Sequence, residues 1–123
     1  MSTRKRTTPL RERRRGPPPS KKYKDRDEAV TFVQGCEERD IAVLGIEGFV
    51  EKDGLVAQLD IIADFSPLSQ DVTWDEYRPK VNRIAIAFLE KAPERQNLVF
   101  EFETWSRDDW RADGRPLAAK NHR

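Results

Sequence analysis

The sequence predicts an α+β fold, a two-layer sandwich with two helices on one face of a small, mostly antiparallel sheet, and three observations carry that expectation. The dipeptide Asp53-Gly54 stands between two runs of β-forming residues, the strongest short-range signal for a hairpin. "TWDE" at Thr73–Glu76 opens an apolar pattern with steps of three and four residues that runs to about Lys91, which is helical periodicity behind a capping box. "NLVFEFETW", residues 97–105, alternates apolar and polar side chains, as a half-buried strand does.

Taken in order, the elements begin near Asp25. Asp25 is placed to cap a helix, with Glu28 three residues on, a capping-box spacing. The helix "DEAVTFVQGCEERD" sets Ala29, Val33 and Cys36 on one stripe, flanked by Val30 and Phe32. Gly35 weakens it by up to ~1 kcal/mol relative to Ala, so it depends on tertiary packing. In the hairpin, a two-residue loop pairs Lys52 with Leu55. Counting outward pairs Val50 with Ala57, Gly48 with Leu59, Ile46 with Ile61 and Leu44 with Ala63, all on one apolar face. The opposite face then carries Glu51 with Val56, Phe49 with Gln58, Glu47 with Asp60, Gly45 with Ile62 and Val43 with Asp64. A one-residue slip would mix the two faces, so the pattern selects the register.

"SPLSQD" reads as a loop. The second helix follows, with Tyr77, Val81, Ile84 and Phe88 along its apolar side and Ala85 and Leu89 beside them. Pro79 forfeits a bond to the carbonyl of residue 75, so a kink is expected, or a helix that starts nearer to it. The third strand points Leu98, Phe100 and Phe102 one way and Val99, Glu101, Glu103 and Trp105 the other. After it, one helical turn capped by Ser106 has Trp110 as its anchor.

The order is therefore α-β-β-α-β. A helix between the second and third strands implies a right-handed crossover, which places both helices over the apolar side of the sheet. The same order is that of a ferredoxin-like fold without its first strand, so a partner chain, or a second copy in a homodimer, would complete the sheet. The expected map is a basic Pro/Arg-rich tail over residues 1–24, an α+β domain over 25–106 and a polar extension over 107–123. Roughly 80 ordered residues lie near the low end of what folds alone.

Charge divides along the same lines. The chain of 123 residues holds 23 Lys and Arg against 22 Asp and Glu. Residues 1–24 contain ten basic residues and one acidic, a net of +9, which leaves 13 against 21, or −8, for the remainder. Such asymmetry says more about partners than the near-neutral total. The tail has almost no apolar residues to bury and is expected to be disordered when alone, with "GPPPS" as a stiff spacer. A single cysteine, Cys36, precludes an internal disulfide and a cysteine-based zinc site, and a single histidine, His122, leaves little for His-centred chemistry. No apolar run approaches the roughly 20 residues of a membrane span, and the N-terminus lacks the apolar core of a secretory signal. A cytoplasmic protein with no cofactor is the default expectation.

Two surfaces are candidates for function. On the face without helices, Glu47 opposite Asp60 places like charges side by side, which costs up to about 1 kcal/mol; Asp64, Glu101 and Glu103 join them, and Phe49 stands between Glu47 and Glu51. That face is either a solvated surface, a docking site for a protein with a basic surface, or a divalent-metal site for a hydrolase. The metal reading lacks a Lys two residues beyond an acid on these strands, and a His to act as base. The second surface is the tail, where Arg4, Lys5, Arg6, Arg11, Arg13, Arg14 and Arg15 would contact a polyanion such as nucleic acid without sequence preference. It is otherwise a plain linker, or folds back onto the acidic domain. Tyr23, Trp74, Trp105 and Trp110 as stacking platforms for a single strand are opposed by the domain's negative charge. Cys36 reads as a small core hydrophobe, and "GIEG" carries no weight inside a strand. The sequence thus points to a non-enzymatic protein-binding domain, similar only in surface and size to small inhibitor or immunity-type proteins, or to an assembly subunit. The basic tail would be a second electrostatic contact. A nucleic-acid-associated protein is the alternative, and a metal-dependent hydrolase the next.

Overall fold

The computed structural model describes residues 22–117. The disorder expected for the tail therefore concerns, over residues 1–21, positions outside those described. The elements are α1 (Arg26–Glu38), β1 (Ile41–Lys52), β2 (Leu55–Asp64), a 3-10 turn (Ser66–Ser69), α2 (Trp74–Lys91), β3 (Leu98–Ser106) and α3 (Arg107–Ala112). Class and element order are those the sequence predicts, and α3 occupies the place of the Ser106-capped turn.

Each helix starts where its capping chemistry says it should. The Glu28 amide donates to Asp25 Oδ1 at 2.8 Å while the Asp25 amide donates to Glu28 Oε1 at 2.9 Å. Thr73 with Glu76, and Ser106 with Asp109, close the same reciprocal box on α2 and α3. Each cap satisfies amides that would otherwise lack partners and contributes on the order of 1 kcal/mol. α2 begins at Trp74 rather than near Pro79.

The sheet has the strand order β2-β1-β3, antiparallel throughout. β2 and β3 are therefore parallel across β1, with α2 as their crossover. The first strand of the hairpin takes the middle of the sheet. The place of a strand ahead of α1 is reduced to one residue, Lys24, which bridges Phe100 on the outer edge of β3 with N–O distances of 2.9 and 2.7 Å. Any sheet completion along that edge would have to displace Lys24.

The hairpin turn is type I′, as the Asp-Gly pair requires, with Asp53 at φ 53° and Gly54 at φ 79°. The register follows the expectation from Lys52–Leu55 to Phe49–Gln58 and then jumps, so that Glu47 pairs with Ile62, Ile46 with Ala63 and Gly45 with Asp64. Glu47 is thus not opposite Asp60. The reason is an irregular stretch of β2, Leu59 to Ile61, set against Gly48 alone. Leu59 and Ile61 both pack towards the core, and they fit because the partner has no side chain: a Cβ on Gly48 would lie 2.9 Å from Ile61 Cβ. The offset is two residues, so inward and outward faces are preserved.

A second irregularity does change a face. Between Gly45–Glu103 and Val43–Thr104 the β1–β3 register shifts by one, with Leu44 as the extra residue. Val43, expected outward opposite Asp64, is instead completely buried in the core. Its amide leaves the ladder and donates to the buried Asn82 Oδ1 at 2.9 Å.

Ala29, Val33 and Cys36 of α1 and Val81, Ala85 and Leu89 of α2 form the core with Ile46, Leu98 and Phe100. Ile84, expected on the apolar side of α2, is exposed. The buried stripe runs Tyr77, Val81, Ala85, Leu89 in steps of four, and Ile84 falls beside it. At one corner Trp110 of α3 is fully buried, with ring centroids 5.0 Å from Tyr77, 5.5 Å from Trp74 and 6.1 Å from Trp105. Trp74 and Trp110 are therefore core residues rather than stacking platforms.

Candidate functional site

Among the described residues no helix covers the middle of the outward face of the sheet, and the strands carry their carboxylates there. Glu47, at the centre of β1, stands directly opposite Glu101 of β3, and two residues along Gly45 pairs with Glu103. The like-charge pair expected from the sequence, Glu47 with Asp60, is therefore not formed; a different one, Glu47 with Glu101, stands in its place. Both carboxylates have found partial relief. The Gln58 side-chain amide donates to Glu47, and Lys22 Nζ lies 3.5 Å from a Glu101 oxygen. Asp60, between two core-facing residues of β2, is exposed. Neither Asp60 nor Glu103 has a hydrogen bond or ion pair among the described residues.

Asp64 is the exception among the expected residues. Its Oδ1 accepts from the Ser66 amide at 3.0 Å and the Ser66 hydroxyl at 2.7 Å. These bonds hold its carboxyl below the usual range and bind it to the turn after β2.

Phe49 stays on this face, but it is not bare. The Tyr23 ring meets it edge-on at 5.2 Å with an interplanar angle of 71°. Val99, the cross-strand neighbour of Phe49, is buried although it lies outside the main core. Ile62, opposite Glu47, keeps 54% of its surface exposed. The face thus combines Glu47, Glu101 and Glu103 with an open aliphatic side chain and an aromatic pair. Arg4, Lys5, Arg6, Arg11, Arg13, Arg14 and Arg15 lie outside the described residues.

Sequence reasoning missed the most connected polar cluster. Asp40 follows α1 in the left-handed region, φ 63°. It accepts from Trp74 Nε1 at 2.8 Å, an Arg78 guanidinium nitrogen at 2.8 Å and Arg107 Nε at 2.6 Å. Those bonds, Arg107's above all, pull its carboxyl down to about 2. Arg78 also forks onto Glu37 at 3.3 and 2.9 Å, which lowers the Glu37 carboxyl. Asn82 donates to Glu37 at 2.8 Å and to the Ile41 carbonyl at 2.9 Å. Each side chain in the cluster has a partner, so it clamps the ends of α1, α2 and α3 together. The only local hint in the sequence is an Asp where a helix usually ends on Gly.

Two chemistries fit these side chains poorly. Burial pushes the Cys36 thiol up to about 11, which keeps it protonated and a poor nucleophile. Among the described residues no group of three or more His, Cys, Asp or Glu is arranged to hold a metal ion, and no helix is long and apolar enough to cross a membrane. Comparison of the chain with models of protein families, with curated proteins and with solved structures returned no match.

Proposed function

We propose that the chain is a small non-enzymatic protein-binding domain whose helix-free sheet face docks a partner with a Lys- or Arg-bearing surface, the basic N-terminal segment supplying a second electrostatic contact. One observation carries the reading: Glu47 and Glu101 stand directly opposite each other on that face, beside the exposed Ile62. Like charges on adjacent strands oppose folding by up to about 1 kcal/mol, and stability alone would favour a neutral pair there. Elsewhere in the fold, acids such as Asp40 and Glu37 are matched with arginines. Carboxylates around an aliphatic centre are what a cationic protein surface meets favourably, and opposed potentials speed encounter and exclude wrong partners.

The reading is tested by capture from a lysate of the source with the full chain, with and without nuclease, followed by affinity measurement on the captured protein. A nuclease-resistant partner is expected, whose affinity falls at least about tenfold, ~1.4 kcal/mol, in Glu47→Lys/Glu101→Lys. Material that disappears with nuclease and ignores those substitutions would make this a nucleic-acid-associated protein instead.

A further inference from the structure

We propose that the outward sheet face is also the docking site of this chain's own residues 1–21, which occupy it when no partner does. The inference rests on the face described under the proposed function, but on no partner being found for it.

The described chain begins on that face. Lys24 pairs antiparallel with Phe100 at the edge of β3, so Lys24 and its neighbour Tyr23 fall on opposite sides of the sheet. The Lys24 ammonium lies towards the helices, 4.4 Å from the Phe32 ring centroid and 5.7 Å from that of Phe102. Tyr23 turns to the other side and reaches Phe49 on the middle strand, and Lys22 reaches Glu101. One aromatic and one ionic contact with the face are therefore made by Tyr23 and Lys22, just after the segment.

What precedes them matches the remainder of the face in charge. Residues 1–21 hold eight Lys and Arg against one Glu, a net of +7. The carboxylates they would meet are Glu47, Glu101, Glu103 and Asp60. Reach is sufficient: the seven residues from Lys22 back to Arg15 pass through Pro17, Pro18 and Pro19, and at ~3.1 Å per residue they span about 20 Å. The face is three strands wide, about 10 Å between its outer strands, so the arginines at 11 and 13–15 can reach the β2 side. A tether this short gives an effective concentration on the order of millimolar, so individually weak contacts suffice. A partner with a basic surface would then displace the segment and free its arginines for the second contact.

The test uses the full chain and no partner. A nitroxide is attached at Thr8→Cys, the buried Cys36 being left in place, and amide signals are recorded by NMR. At low ionic strength the amides of Glu47, Ile62, Glu101 and Glu103 should lose at least about half their intensity, while those on the outward side of α2, such as Arg83 and Ala87, should not. The loss should be unchanged on tenfold dilution and should vanish near 0.5 M salt, where screening extends only about 4 Å. It should also vanish in Glu47→Gln/Glu101→Gln/Glu103→Gln, whose dispersed spectrum would show that it is folded. Broadening spread evenly over the molecule, or independent of salt and of the Gln substitutions, would overturn the proposal. Broadening that fades on dilution would assign the contact to a second copy and overturn it equally. A captured partner sensitive to Glu47→Lys/Glu101→Lys, together with an unbroadened face, would leave the proposed function standing and remove only this inference.

Discussion

Asp40 shows how one residue holds a conformation that its own backbone disfavours. A non-glycine residue at φ 63° costs roughly 1 kcal/mol, which Gly would avoid, yet the carboxylate gathers Trp74, Arg78 and Arg107. Asp40→Gly decides which effect dominates. If backbone strain did, the variant would melt higher; the three donors left unmatched predict a lower melting temperature, by an amount equivalent to about 1–2 kcal/mol after allowing for the carboxylate's partial exposure. The same group predicts a pH dependence. Its carboxyl sits at about 2 in the folded chain against an ordinary 3.8. A depressed folded value contributes stability that is fully present above the unfolded one and is lost as pH falls through the folded one. Melting temperature should therefore decline between about pH 4 and pH 2, and Asp40→Asn should flatten that decline. An unchanged slope in Asp40→Asn would assign the acid sensitivity to other carboxylates.

At the scale of elements, the hairpin separates what sequence patterning reveals from what it hides. Capping boxes at Asp25, Thr73 and Ser106 and the Asp53-Gly54 turn rest on contacts between residues at most three apart, so they are legible in a short window. Alternation of period two assigns each residue to a face but says nothing about which residue lies across from it. The two-residue offset at Leu59–Ile61 preserves every face and changes every partner beyond it, so patterning puts Glu47 outward but cannot show that it faces Ile62 rather than Asp60. The one-residue shift at Leu44 does alter the period, and it turns Val43 from the outward face, where alternation puts it, into the core. What selects the larger irregularity is the absence of a side chain at Gly48. Gly48→Ala should destabilise by about 1–3 kcal/mol through overpacking, read as a lower urea midpoint with an unchanged slope. Because the nearest obstacle is Ile61 Cβ itself, adding Ile61→Ala should not restore stability. Recovery in that double variant would mean that the flexible end of Ile61, rather than its fixed base, makes the contact.

The whole molecule is closed by a segment whose composition gives little sign of it. Residues 107–117 are mostly polar; Trp110 is fully buried, and Leu117 packs partly against the core. Trp110 Nε1 donates to the Pro116 carbonyl at 2.7 Å, which curls the chain so that the carbonyls of Pro116 and Leu117 accept the first amides of α2, Trp74 at 3.0 Å and Asp75 at 3.3 Å. Arg115 lies over the Trp105 and Trp110 rings at 5.6 and 5.4 Å and donates to the Ser69 carbonyl at 3.1 Å. The C-terminal segment thus supplies α2 with its missing acceptors and shields Trp74 and Tyr77 from water. Periodicity could not show this, since a single large residue has no period. Trp110→Ala should cost about 3–5 kcal/mol, much of the 5–15 kcal/mol, roughly, that holds a domain together. Ending the chain at Ser106 should cost more, because two helix amides lose their acceptors as well. Near-UV circular dichroism and thermal melting would read both variants: the truncated chain is expected to lose its aromatic signal and its cooperative transition, and Trp110→Phe to retain them at a lower midpoint. A truncated chain that still melted cooperatively within a few degrees of the full one would show that the helices and sheet close without this corner.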